Sequence, residues 1–368
     1  MEHLKVAYLL GGLNRGGTET LVLDVLKQNL PFEAIVIHRS GGDLKDDYYA
    51  TNKQIFCLPY KKKHIITYLL CLRRLLKEQE VKVVHAQQFA DCVFAKIATI
   101  GTNIRVIETI HSYISDEDKY LRAIVKLSMA LADKVIFVSN SQRQWFIDNY
   151  KMKHLSKKSV VVYNGIDLSK FDCKYAEPDF LIGKDPKVLR LAMVANFTGT
   201  RCQKMLSECV ADLVAKGRKN FHLYFVGRKT HSEPQVYDDC NNYCRTKGLD
   251  RYITFVGGRD DVPAILQHID GFVFATQWDS FGIGIVEALV SKVPVMASDI
   301  EAIREVTNDG EWATLFDAQN HEQCTHYLEL FIDRLSELKK QMDEISKQIR
   351  QKYSIERHVE NLKEQYDE

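Results

Sequence analysis

Short apolar runs rich in β-branched residues alternate with longer segments of helical period along most of this chain. In the first half the runs fall at 4–10, 34–38, 55–58, 81–85, 106–109, 134–138 and 160–163. Helical stretches at 18–29, 65–78, 89–100 and 119–132 lie between them. From 169 to 187 the alternation stops, and Pro178, Gly183 and Pro186 interrupt a stretch without apolar period, which reads as an interdomain linker. A second series follows, with runs at 189–194, 222–226, 253–256, 271–275, 293–297 and 313–316 and helices at 203–216, 234–247 and 282–291. Beyond residue 321 the pattern is helical only: Leu328, Phe331, Leu335, Leu338, Met342, Ile345 and Ile349 recur every three to four positions, and Tyr353-Ser354 breaks the run. Strands alternating with helices predict a parallel sheet covered on both faces. The expected fold class is therefore α/β, with two Rossmann-like doubly wound domains facing a central cleft. The domains are expected at 1–175 and 186–352, with a last helix, 354–368, crossing back to the first. Such sheets bind ligands at the carboxyl ends of their strands, where the strand order reverses.

Composition narrows the partners. The 368 residues suffice for two domains, and a net charge of +1 argues against a nucleic-acid partner. Nine scattered cysteines, an odd number, argue against a disulfide framework, and Cys240 with Cys244 lack the second pair a zinc site would need. The amino terminus runs straight into an apolar strand, and the longest apolar stretch, 65–76, is interrupted by Arg73 and Arg74. No segment reaches the roughly 20 apolar residues needed to span a bilayer, so the expected location is cytoplasmic.

The stretch most informative for chemistry is 278–289, Trp-Asp-Ser-Phe-Gly-Ile-Gly-Ile-Val-Glu-Ala-Leu. It follows a strand and enters a helix, so residues 280–284, including Phe281, Gly282 and Ile283, would offer backbone amides to an anion at a helix amino terminus. Glu287, eight residues after Asp279, could accept two hydroxyl hydrogen bonds of the kind a ribose offers. The loop after the first strand carries Gly16 and Gly17, but its Gly-Gly-x-x-x-Gly-Gly spacing is not that of a dinucleotide fingerprint. Asp116-Glu117-Asp118 formally contains an Asp-x-Asp; acids at a helix start need no metal. Segment 61–74, with Lys61, Lys62, Lys63, Arg73 and Arg74, is a basic amphipathic helix suited to peripheral contact with an anionic membrane on the inner face. A core-facing helix with a solvated basic end fits the same pattern. His38 and His85 end apparent strands and read as structural.

Together these motifs resemble family 4 retaining glycosyltransferases of GT-B fold, of the bacterial polysaccharide-biosynthesis type. The resemblance is carried by Asp279, Phe281-Gly282, Glu287-Ala288-Leu289 and Val293-Pro294-Val295-Met296-Ala297-Ser298-Asp299, and by Gly11 to Glu19. Thr109-Ile110-His111, Val162-Tyr163-Asn164-Gly165-Ile166-Asp167 and Val194-Ala195-Asn196-Phe197 add to it. It implies transfer of a sugar from a UDP- or GDP-sugar to a glycan or lipid-linked acceptor, with retention of configuration, no cofactor and no metal. It implies that His111 and Asp279 contact the sugar, that Glu287 holds the ribose, and that Arg201, Lys204, Asn196, Phe281, Gly282 and Ile283 form the diphosphate site. Gly16 and Gly17 would form a loop on the acceptor and phosphate. Two residues depart from the family pattern: Asn196 stands where an arginine is usual, and Asp279 where glutamate is commonest. A non-catalytic nucleotide-sugar-binding protein and a nucleotide-sugar epimerase of the same fold are the alternative readings.

Overall fold

The structure, a computed structural model, describes residues 4–114 and 118–367. It divides into two compact units, residues 1–166 with 353–368, and residues 167–352.

In the first unit β1 (Lys5–Leu10), β2 (Glu33–His38), β3 (Gln54–Cys57), β4 (Val83–Ala86), β5 (Arg105–Ile110), β6 (Lys134–Phe137) and β7 (Ser159–Val161) form one parallel sheet. Its order is β3-β2-β1-β4-β5-β6-β7. Side chains alternate across a strand, and in the inner strands both faces are buried, which is why these read as continuous apolar runs. Ala7, Leu9, Ile35 and Ile37 pack on Tyr68, Leu72, Leu76, Val125 and Met129. Val6, Tyr8, Leu10 and Val36 pack on Leu21, Val22, Val25 and on Ile355, Val359, Leu362 and Tyr366 of the last helix, Ile355–Asp367. That helix thus supplies part of the core of the sheet it lies on, although it is the most distant segment in sequence. Its attachment is also polar: the Tyr8 and Tyr366 hydroxyls are hydrogen-bonded, and Arg105 donates to the Tyr366 carbonyl at 2.9 Å.

In the second unit β8 (Leu189–Val194), β9 (Phe221–Val226), β10 (Ile253–Gly257), β11 (Gly271–Phe274), β12 (Val295–Ser298) and β13 (Thr314–Phe316) form a second parallel sheet, ordered β10-β9-β8-β11-β12-β13. The apolar stripe beginning at Leu328 covers one face, with Leu328, Phe331 and Leu335 packed on Leu191, Met193 and Val273. Cys202, Cys209, Cys240, Cys244 and Cys324 are thiols within this core.

Segment 169–187 is less irregular than its sequence implies. Ser169–Asp172 is one helical turn that buries Phe171, and Leu181 is fully buried. Asp172 pairs with Arg350, and Gln267 bonds the backbone of Cys173 and Tyr175. These contacts tie the segment to the second unit and place the boundary at Ile166/Asp167. Two isolated apolar residues carry too little periodicity for the sequence to show this.

Candidate functional site

In each sheet one strand is flanked on both sides by strands that continue the chain in opposite directions, and the loops leaving that point form the natural ligand crevice. In the second unit the point lies between β8 and β11, because β8 pairs with both β9 and β11. The loops after these strands are stitched together: Cys202 N donates to Ala275 O at 3.0 Å and Gln277 N to Thr200 O at 2.8 Å.

Arg201 sits on this seam. Its Nη1 lies 2.8 Å from Asp279 Oδ2 and donates to Thr276 Oγ1 at 2.8 Å, while the guanidinium carbon lies 4.8 Å from the Phe274 ring centre. Its third polar contact, with Trp278 O, is also made by Nη1. Among the described residues nothing bonds Nη2 or Nε. The fork is therefore anchored by one nitrogen and lies over an aromatic face, and its other donors remain available to an anion. Thr276, buried completely, is the hub that the sequence did not single out; its hydroxyl meets Arg201, Thr200 O and Trp278 O.

Asp279 also closes the turn that leads into the helix Ile283–Val290. Its Oδ1 accepts from Phe281 N at 2.9 Å and from Gly282 N at 2.7 Å. Two of the amides expected to cradle an anion are thus committed to Asp279, and the cradle narrows to Ile283 and Gly284, whose N–H groups have no carbonyl one turn earlier within the helix. Gly282 takes φ +85°, a left-handed conformation that glycine adopts without strain. Phe281 is buried, so only its backbone belongs to the loop surface. Glu287 follows half-buried on the same helix, one turn beyond Gly284.

Two further residues have distinct places. Asn196 Oδ1 accepts from Arg228 N at 2.9 Å, so this side chain clamps the loops after β8 and β9 together. Backbones are so close there that a Cβ on Gly227 would lie 1.9 Å from Ala195 O. Lys204 stands exposed in the first turn of the helix Gln203–Ala215, three residues after Arg201.

In the first unit the reversal point lies between β1 and β4. Here a Cβ on Gly11 would meet Gln88 Oε1 at 2.4 Å. Gly16 caps the helix Gly17–Leu26 without a side-chain partner, and nothing lies within 4 Å of a Cβ built on Gly17. Glu19 Oε2 would lie 2.7 Å from a Cβ on Gly16, and burial raises this carboxyl above its ordinary range.

His111, one residue past β5, donates from Nε2 to Gln87 Oε1 at 2.8 Å. Burial, and secondarily His358, lowers its pKa to about 3, so the ring is neutral at physiological pH. His85 is hydrogen-bonded to Tyr366 at 2.6 Å and Thr109 at 2.7 Å, and His38 to Ser40 O at 2.8 Å, which are structural roles.

Asp116 and Glu117 lie outside the described residues; Asp118 Oδ1 accepts from Leu121 N at 2.8 Å and caps the helix Lys119–Leu131. Among the described residues no group of His, Cys, Asp or Glu could hold a metal ion, and no helix is long and apolar enough to cross a membrane. The basic helix Ile65–Glu78 buries Tyr68, Leu72 and Leu76 yet leaves Ile66 72% and Leu70 62% exposed. Burial against the core accounts for one stripe of its apolar residues and leaves a second in solvent.

Comparison with known proteins places the fold and the family. Residues 15–170 match the family profile described as Glycosyltransferase Family 4, and residues 178–351 that of Glycosyl transferases group 1. The capsular polysaccharide biosynthesis glycosyltransferase CapH of Staphylococcus aureus is 24% identical over 319 residues, 82% of this chain and 83% of that one. An Escherichia coli UDP-Gal:alpha-D-GlcNAc-diphosphoundecaprenol alpha-1,3-galactosyltransferase is 22% identical over 314 residues, 81% and 79% of the two chains. The crystal structure of HepE from Anabaena in complex with UDP-glucose superimposes with a TM-score of 0.86 at 18% identity, over 99% of this chain and 100% of that one. Two doubly wound parallel sheets, a reversal point in each, and family profiles on both units lead to one conclusion: this chain belongs to the family 4 glycosyltransferases of GT-B fold.

Proposed function

We propose that this glycosyltransferase uses a nucleoside diphosphate sugar, a UDP- or GDP-sugar, held by the second unit. It passes the sugar to a glycan or lipid-linked acceptor bound by the first, with retention of anomeric configuration. The observation that carries the reading is the anchored Arg201 fork beside the start of the helix Ile283–Val290, with Glu287 one turn further on. That order of groups, cation, helix amides, carboxylate, suits a diphosphate followed by a ribose. The Escherichia coli relative, a galactosyltransferase with a UDP-linked donor and a diphosphoundecaprenol acceptor, supports the same substrate classes.

The chemistry follows from charge. The acceptor oxygen bonds the anomeric carbon as the carbon–phosphate oxygen bond breaks on the same face, and the acceptor proton passes to the departing diphosphate. Arg201, Lys204 and the amides of Ile283 and Gly284 stabilise the charge that develops there, with no metal ion called for. Asp279 orients Arg201 and the sugar, and neutral His111 contributes a hydrogen bond rather than a charge. Asn196 supports the site by joining its loops. Replacing Glu287 with Ala is expected to raise the donor KM at least about tenfold, the loss of roughly one charged hydrogen-bond pair, with kcat changed less. Steady-state kinetics with varied donor measures it; an unchanged KM removes the ribose assignment.

A lipid-linked acceptor requires the enzyme to reach a membrane surface, and the basic helix with exposed Ile66 and Leu70 is the surface for it. Each basic residue at an anionic surface contributes about 1 kcal/mol, so exchanging Lys61, Lys62 and Lys63 together for Gln weakens binding to phosphatidylglycerol-containing vesicles about a hundredfold. Cosedimentation measures this, and binding indifferent to the three changes assigns the helix no lipid role.

A further inference from the structure

Gln87 follows β4 directly, and its backbone amide donates to Leu9 O at 3.1 Å, which fixes it at the reversal point of the first sheet. The side chain is 5% exposed. Its Oε1 accepts the only kind of hydrogen bond an oxygen can make with His111 Nε2, a donated N–H. Its Nε2 is buried with no partner. Two residues earlier on the same strand face, His85 is bonded to Thr109, two residues before His111, so the two pairs form successive rungs between β4 and β5. The lower rung is locked to the last helix through Tyr366. The upper rung ends at the carboxyl edge, where Gln87 meets the imidazole through a bond of known donor sense.

We infer that Gln87 is a positioning residue for His111, holding its imidazole in the neutral Nε2–H tautomer with the lone pair on Nδ1. The inference rests on the reading of His111 as a sugar-contacting group. A neutral imidazole exchanges its proton between two nitrogens, and only one arrangement matches a given ligand. An acceptor with no charge selects the tautomer without raising the pKa, whereas a carboxylate at the same place would favour imidazolium. The groups facing this ring are compatible with neutrality: His85 on β4 and His358 on the last helix are themselves held neutral by burial.

The test compares Gln87→Leu and Gln87→Glu in the full chain. The leucine removes a buried donor that has no partner, so folding is expected to survive. Nitrogen-detected NMR of the His111 ring is expected to show the Nε2–H form in the parent and a mixture of tautomers in Gln87→Leu. kcat in that variant falls about ten- to a hundredfold, the usual effect of removing a partner that orients a functional histidine, while both KM values stay within about twofold. In Gln87→Glu the His111 titration rises by at least about two pH units, and the rate gains an acid limb that the parent lacks. An Nδ1–H form in the parent, or a Gln87→Leu enzyme with parental tautomer, kcat and pH profile, overturns the inference. His111→Ala separates the two readings. If it leaves transfer intact while the tautomer still follows residue 87, the role of His111 in transfer fails and the positioning by Gln87 stands.

Discussion

Replacing Arg201 with Ala is expected to lower kcat/KM for the donor by about 10²- to 10³-fold, the usual range for removing one preorganised donor from a developing charge. Both terms move. The ground-state diphosphate loses a ligand, which raises KM, and the leaving group loses stabilisation that grows as the bond breaks, which lowers kcat. Arg201→Lys restores little, because the anchoring uses the fork's planarity: one nitrogen on Thr276 and Asp279, the plane over Phe274, the remaining donors outward. The fold survives the change, since Asp279 keeps its two backbone amides and remains partly solvated. Donor kinetics with a melting curve as control checks this. A variant within about threefold of the parent would show that the diphosphate is held elsewhere.

The first unit is expected to be most stable near neutral pH and to lose stability on both sides. On the acid side the cause is histidine. His85, His111 and His358 are buried neutral, with His111 lowered to about 3 and His358 to about 4. Their folded pKa values lie below the unfolded value near 6.5, so the unfolded chain binds more protons and stability falls as pH drops below about 6.5. On the alkaline side the cause is Glu108, buried completely and raised to about 8 by desolvation. A raised carboxyl gives the folded state the extra proton, so its contribution is full below about 4.5 and is lost as pH rises toward 8. Asp91, raised to about 6 by burial beside Arg39, acts in the same sense at lower pH and partly offsets the histidines between about 4 and 6. Each net proton corresponds to a slope of about 1.4 kcal/mol per pH unit. Trp145 reports on this unit alone once Trp278 and Trp312 are changed to Phe. In that background Glu108→Gln is expected to flatten the alkaline limb and to steepen the acid limb between about 4.5 and 6.5, and parallel curves would remove Glu108 as the cause of the alkaline limb.

The order of residues alone shows neither the anchoring of Arg201 nor the burial of these titratable groups. In sequence the family resemblance implies that Asp279 is a sugar contact. The structure adds that its carboxylate already spans two amides and Arg201, a set of contacts that depends on β8 and β11 lying side by side. Gln87, Thr276 and Glu108 carry no motif. Gln87 could have been suspected only from a polar residue closing an apolar strand, and Glu108 only from an acid within one.

What the sequence determined by itself is whatever repeats locally. The thirteen strands among the described residues follow from apolar runs, because the central strands, buried on both faces, have few polar positions to disguise them. The helices with strong apolar period, and the glycine-bounded loop from Asp279 to Glu287, are legible for the same reason: neighbours in sequence fix them. Tertiary structure decided what depends on residues far apart. It assigned segment 169–187 to the second unit, laid Tyr366 against His85, and placed Arg201 on Asp279. Hydrogen bonds and ion pairs between distant segments have no period, so no pattern along the chain announces them, and burial rather than residue type sets the charge of the groups they hold.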